Sequence, residues 1–209
     1  FLYLRYSTPL YNAKASILIK DNKKSGISQE LEAFKDLGII GGGSSNNTDN
    51  EIEILRSRSI IGNVVDSLNL TESYFVQGRV KYKEIFNNKP LKIELFKKSS
   101  FLEKRDTIFL ISYKDTINFV IKNIEGEKLS KHKFGDTIFS KIGVFNIKRQ
   151  KNSSVNDGVY IKLSRRSEII DMYRKNLIIT PVNKNSSVLI LSLKDKVQKK
   201  SRTYTRWTC

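Results

Sequence analysis

Between Leu91 and Leu163 the chain carries one short, alternating apolar run after another, and such a stretch must close on itself as a sheet. Leu91–Phe96 alternates cleanly. Thr107–Tyr113 and Thr116–Ile121 are parted only by Lys114-Asp115, a hairpin signal. Thr137–Lys148 follows the turn Phe134-Gly135-Asp136, and Gly158–Leu163 closes the series. The flanks read differently. Ala15–Lys20 is expected as a buried strand. A short helix is expected from Ser28, with Leu31, Phe34 and Leu37 on one face and Gly38 as its stop. Residues 71–90 read as a polar connection with one helical turn around Tyr82–Phe86, ending at Pro90. Downstream, Ser167 is expected to cap a helix over Glu168–Lys175 that turns Ile169, Ile170 and Tyr173 inward. Leu177–Val182 and Val188–Leu193 read as two strands joined by the turn 183–186, and Pro181 marks an edge or strand end. This order points to an α+β fold with a mixed sheet, packed helices and a strand-rich insertion over about 91–163, not a doubly wound parallel sheet.

The strongest helical signal runs from Asn50 to Leu70. Asp49 or Asn50 is expected to cap it, with Glu51 and Glu53 in the first turn, where the helix dipole favours carboxylates. Ile52, Leu55, Ile61, Val64, Val65 and Leu68 form the apolar face. Arg56 and Arg58 leave from a different face, and Asn69-Leu70 ends the element. Just before it, Gly41-Gly42-Gly43 precedes Ser and Asn residues. A phosphate-binding loop would need a Gly-Lys-Ser/Thr end, which this segment lacks.

Lysine and arginine number 38 against 21 acidic residues, for a net charge of +17. The basic pairs, among them Lys23-Lys24, Lys97-Lys98, Lys148-Arg149 and Lys199-Lys200, are scattered over many elements. That pattern argues against a nucleic-acid partner and for general attraction to an acidic surface, lipid or polysaccharide. Cys209 is the only cysteine, so no internal disulfide forms. His132, the only histidine, lies between Lys131 and Lys133 and reads as a surface residue. With these residues no zinc centre or Cys/His nucleophile is expected. Glu51 and Glu53, two apart on a helix, point in different directions and do not make an acid–base pair. Asp106, Asp115 and Asp136 sit where turns are expected. No catalytic, cofactor-binding or metal residue is assigned.

No stretch reaches the roughly 18–20 apolar residues of a transmembrane helix. Phe1–Tyr6 reads as the outer end of one, because Phe1, Tyr3, Tyr6 and Tyr11 resemble an interfacial aromatic belt, with an ordinary N-terminal strand as the alternative. The final segment 201–209 lacks the Lys/Asn/Ile bias of the rest and holds Trp207 and Cys209, so it reads as a frameshifted or artificial tail.

Three segments carry a resemblance. Tyr11–Ile19 is similar to the aromatic-x-Ala strand that follows the first membrane helix of polysaccharide co-polymerases of the Wzz/Wzc type, the chain-length determinants. Asn50–Leu70, with Glu51-Ile52-Glu53-Ile54-Leu55-Arg56-Ser57-Arg58 and a Leu68-Asn69-Leu70 close, resembles the family's Glu-Ile-x-Leu-Leu-x-Ser-Arg helix. Leu177–Val182 and Ser187–Leu193 resemble the paired strands of the membrane-proximal base. The matches span the chain up to about residue 200.

The resemblance implies a periplasmic base domain over 11–200, entered from the membrane over 1–10. In the full-length protein two helices would anchor it in the bacterial inner membrane. It implies a homo-oligomeric ring that regulates the length of capsular polysaccharide, exopolysaccharide or O-antigen beside the polymerase and export machinery, and that meets the growing polymer. The insertion points to the larger type, whose members carry a cytoplasmic tyrosine autokinase. The family's long helical hairpin and any Walker motif are missing from this sequence. Arg56, Ser57 and Arg58 are expected at the interface between protomers, with Asn50, Glu51, Glu53 and Leu55 as cap and motif residues. The competing reading is a free carbohydrate-binding or adhesion module. It would need exposed aromatic platforms, whereas most aromatics here fall at inward strand positions.

Overall fold

The computed structural model describes residues 9–19, 45–150, 158–183 and 186–207. The helix expected from Ser28, the glycine loop at 41–43, Phe1–Tyr6 and Cys209 lie outside these residues. In chain order the elements are β1 (Tyr11–Leu18), α1 (Ser45–Leu55), α2 (Arg58–Ser67), β2 (Glu72–Gln77), β3 (Tyr82–Ile85), β4 (Leu91–Lys98), α3 (Ser100–Lys104), β5 (Thr107–Ser112) and β6 (Asn118–Lys122). There follow β7 (Lys128–Lys133), β8 (Ile138–Ser140), β9 (Gly143–Arg149), β10 (Val159–Leu163), α4 (Arg166–Asn176), β11 (Leu177–Pro181), β12 (Val188–Asp195) and α5 (Gln198–Trp207). The fold is α+β, with five helices and three antiparallel sheets among the described residues. It divides into two compact units, residues 1–64 with 173–209, and residues 65–172.

In the first unit the sheet order is β1-β12-β11. β12 is flanked on both sides, so Leu189, Leu191 and Leu193 are fully buried. The register runs from Tyr11 opposite Asp195 to Leu18 opposite Val188. β1 starts four residues before the expected strand and is an edge, not a buried strand: only Ala13 is buried, because the pleat turns Lys14 and Ser16 to solvent. Pro181 ends β11, itself an edge, where a missing N–H costs no ladder bond. α1 lies against β11, and α5 packs on β1 and β12. The segment expected to be an artificial tail is thus part of this unit. Tyr204 is fully buried and stacks on Tyr173 with ring centroids 4.5 Å apart, while Tyr173 donates to Asp195 at 3.3 Å.

The second unit holds two sheets, β3-β2-β10-β5-β6-β7 and β4-β9-β8. Their inner faces share one core, as in a sandwich. Tyr74, Ile161 and Phe119 come from the larger sheet, and Leu91, Phe145 and Ile147 from the smaller. Phe109 and Phe145 meet across the layer at 6.4 Å, and the Ile93 N–H donates to the Tyr74 hydroxyl at 3.1 Å. The β5–β6 hairpin forms as expected, and Asp115 accepts from the backbone N–H groups of Ile117 and Asn118 in its turn. Residues 71–90 differ from expectation. They hold the β2–β3 hairpin, not a helical turn, because β2 gains a ladder with β10 that no local pattern announces. β7 is another strand that the sequence does not announce: Lys128-Leu-Ser-Lys-His-Lys is an edge strand, where lysines are tolerated.

The helices also depart in detail. α1 begins at Ser45, so Asn50 is mid-helix and does not cap it, and Glu51 and Glu53 sit beyond the first turn. Ser, Asn, Thr and Asp fill 44–50, and each is a cap former, so composition leaves the start undetermined. α2 ends as expected. Asn69 adopts φ 50°, the Leu70 N–H reaches the Val65 carbonyl at 2.9 Å, and the Asn69 N–H reaches that of Asp66 at 3.1 Å, a Schellman close. α4 starts before Ser167, which therefore caps nothing. The preceding Arg165 N–H is held instead by Asp106 at 3.0 Å.

Candidate functional site

The expected single helix over 50–70 breaks where the proposed interface residues stand. The Ser57 N–H turns back to the Ile54 carbonyl at 3.0 Å, and its hydroxyl accepts from the Ile60 N–H at 3.3 Å. Ser57 is therefore the N-cap of α2, a structural task that a continuous helix would not give it. The Arg56 carbonyl, left over at the end of α1, accepts from Arg174 Nε at 3.0 Å. Arg56 itself is half-buried, and its Nε is enclosed without a hydrogen-bond partner. Arg58 is exposed. The three residues are adjacent, but the structure gives them three roles: a half-buried stem, a cap and a surface cation. Leu55 and Glu51 are half-buried, and Glu53 and Asn50 exposed.

A second feature, with no signal in the sequence, is an open groove of about 560 Å³ in the 65–172 unit. The end of α2 supplies Asp66, the start of β2 supplies Thr71 and Glu72, β4 supplies Lys92, Glu94 and Lys98, and α4 supplies Arg166. Arg166 grips Asp66 with Nε at 2.9 Å and Nη2 at 2.7 Å, and this hydrogen bonding holds the Asp66 carboxyl below its ordinary range. Lys148 at 2.7 Å and Lys92 at 3.3 Å do the same for Glu94. Glu72 goes the other way. Burial pushes its carboxyl up, against a hydrogen bond from the Tyr74 hydroxyl at 2.9 Å. Tyr74 is itself driven up by burial. The groove thus holds three carboxylates, from α2, β2 and β4, each already held by a partner. Asp66 and Arg166 are a hundred residues apart, so no local motif marks the pair.

Asp136 accepts from the Lys133 N–H at 3.1 Å, a turn role as expected. Asp106 ties the start of β5 to the β10–α4 connection. Burial pushes its carboxyl up, but the Arg165 N–H and Lys162 at 3.0 Å outweigh this and lower it. His132 is only partly exposed. It is half-buried on the inner side of β7, its ring 5.8 Å from Phe119 and its Nε2 2.8 Å from the Ser130 hydroxyl. The strand pleat sends the flanking lysines to the opposite face, which defeats the argument from neighbours in sequence. Among the described residues no group of three or more His, Cys, Asp or Glu is placed to hold a metal, and no helix is long and apolar enough to cross a membrane. No protein-family model matches the chain.

Proposed function

We propose that this chain is the periplasmic scaffold region of a polysaccharide co-polymerase, a non-catalytic platform that sets polymer length in capsule, exopolysaccharide or O-antigen synthesis. The observation that carries this reading is the β1–β12 ladder. The three segments that resemble the family come from opposite parts of the sequence, yet β1, β11 and β12 form one sheet and α1 lies against β11. The strand-rich stretch over 91–163 falls within the second unit, which also takes in the end of the 50–70 segment and the β2–β3 hairpin. Tyr11 pairs with Asp195, so the entry to β1 and the exit from β12 lie side by side.

In this reading the platform works by self-association into a ring at the bacterial inner membrane, beside the polymerase and export machinery, and Arg58 is its exposed contact. The test uses the full-length protein in its native membrane. Arg58→Glu, alone and with Arg56→Glu, is expected to reduce the cross-linked ring and to shift the polymer-length distribution on gels. A ring and a length distribution that both stay as in the wild type would remove these residues from the interface. A full-length protein that stays monomeric, and whose loss leaves polymer length unchanged, would sink the scaffold reading itself.

A further inference from the structure

The six-stranded sheet has one face in the core and one toward solvent, and the solvent side is not ordinary. Strand register aligns Phe75, Tyr160 and Leu110 across β2, β10 and β5, and the row continues to Lys122 on β6. Tyr82, 56% exposed, closes the aromatic end. Its ring meets that of Tyr160 edge-on at 4.9 Å, and the two hydroxyls lie 3.4 Å apart. At the other end Lys131 stands opposite Val120 and Lys133 opposite Asn118, both exposed on this same face. The nearby acidic groups are already engaged, Asp115 by Ile117, Asn118 and the charge of Lys131. Glu84, opposite Phe75, accepts from the Ser73 hydroxyl at 3.2 Å, and Asp106 is engaged with Lys162. The face therefore grades from an aromatic edge to a cationic edge over about 25 Å, six strands at the usual spacing.

The grading selects the occupant by charge. A second copy of a chain carrying +17 would bring further cations to this surface. A bilayer would need a broad protruding apolar face, whereas Phe75, Leu110 and Val120 are half-buried and the exposed Ile108 stands opposite Lys162. A polymer of flat-faced rings with spaced carboxylates meets both edges at once. We propose that this face binds an acidic polysaccharide, its sugar rings laid along Tyr82, Phe75 and Tyr160 and its carboxylates paired with Lys122, Lys131 and Lys133. The inference rests on the scaffold reading above and names the polymer class that would meet it.

The experiment measures binding of the full chain to polygalacturonate, with neutral dextran as control. Polygalacturonate should bind and dextran should not. Lys131→Glu with Lys133→Glu should weaken binding about fivefold, the effect of two exposed charge pairs. Tyr82→Ala should weaken it severalfold at an unchanged melting temperature. Lys104→Glu with Arg105→Glu, the same charge change elsewhere, should leave it within about twofold. Equal losses in the two charge-reversed variants would reduce the effect to diffuse charge and overturn the proposal. So would absence of binding, tighter binding of an oligothymidylate, or Tyr82-dependent capture by phosphatidylserine vesicles without binding of polygalacturonate. A chain that assembles and sets polymer length but ignores polygalacturonate overturns this inference alone. One that binds it through Tyr82, yet is monomeric and without effect on length, overturns the scaffold reading and leaves the site standing.

Discussion

The two units bury a central strand in the same way and recruit its neighbours in opposite ways. Val159, Ile161 and Leu163 of β10 are matched by Leu189, Leu191 and Leu193 of β12, all buried because each strand is flanked on both sides. The partners of β10 are β2 and β5, drawn from one continuous stretch. One partner of β12 is the adjacent β11, and the other is β1, from the far end of the sequence. Among the described residues every left-handed backbone position, from Asn69 to Gly158, also falls in the continuous unit. Local closure needs tight turns, and tight turns need such residues. Long-range closure, as of β1 on β12, costs loop entropy before any contact forms.

If the units are energetically distinct, damage should stay local. Ile161→Ala and Leu191→Ala should each cost about 2–5 kcal/mol, the range for emptying a well-packed aliphatic site. By amide exchange the first should loosen β2, β5 and β10, and the second β1, β11 and β12. A uniform acceleration over both sets would break the comparison. A smaller effect sharpens the turn argument. Gly143 has φ +124°, and a Cβ there would run into the Lys97 carbonyl oxygen. Gly143→Ala should cost about 1–3 kcal/mol, visible as faster exchange in β4 and β9. Unchanged exchange would mean that the strands give way cheaply.

The smallest effects are in pH. Asp66 sits below its ordinary value of 3.8, so its pairing stabilises the fold above that pH and is lost as pH falls through the lowered folded value. Half-exposed, the Asp66–Arg166 pair contributes under about 1 kcal/mol. Glu72 is raised above 4.5, so it costs stability as pH climbs from there through its folded value. Asp66→Asn should flatten the rise in stability through the acid range and Glu72→Gln the decline that begins near pH 4.5, both only in the 65–172 transition. An equal response in the other unit would argue against the division.

How much of the fold is readable in the sequence depends on whether the cause is local. β4, β5, β6, β9, β10, β11 and β12 announce themselves because each alternates or is β-branched, and Asn69 marks the end of α2. β3 and β7 do not, because their sequences are polar and their neighbours in the sheet hold them extended, whereas β2 carries Tyr74-Phe75-Val76 as a strand signal among polar residues. The break after Leu55 does leave a trace, the Arg56-Ser57-Arg58-Ser59 run that interrupts the apolar face, and the cap role of Ser57 follows from it. The pairing of Asp66 with Arg166 is invisible for a simpler reason: nothing near either residue points to the other.

The ladder between β1 and β12 has a consequence for how the chain is made. Synthesis delivers β1 first, and its partner emerges only after the entire 65–172 stretch has left the ribosome. That stretch has its own core and can close while β1 waits with its hydrogen-bonding edges open. Lys14, in the middle of β1, then acts as a guard against intermolecular pairing during the delay.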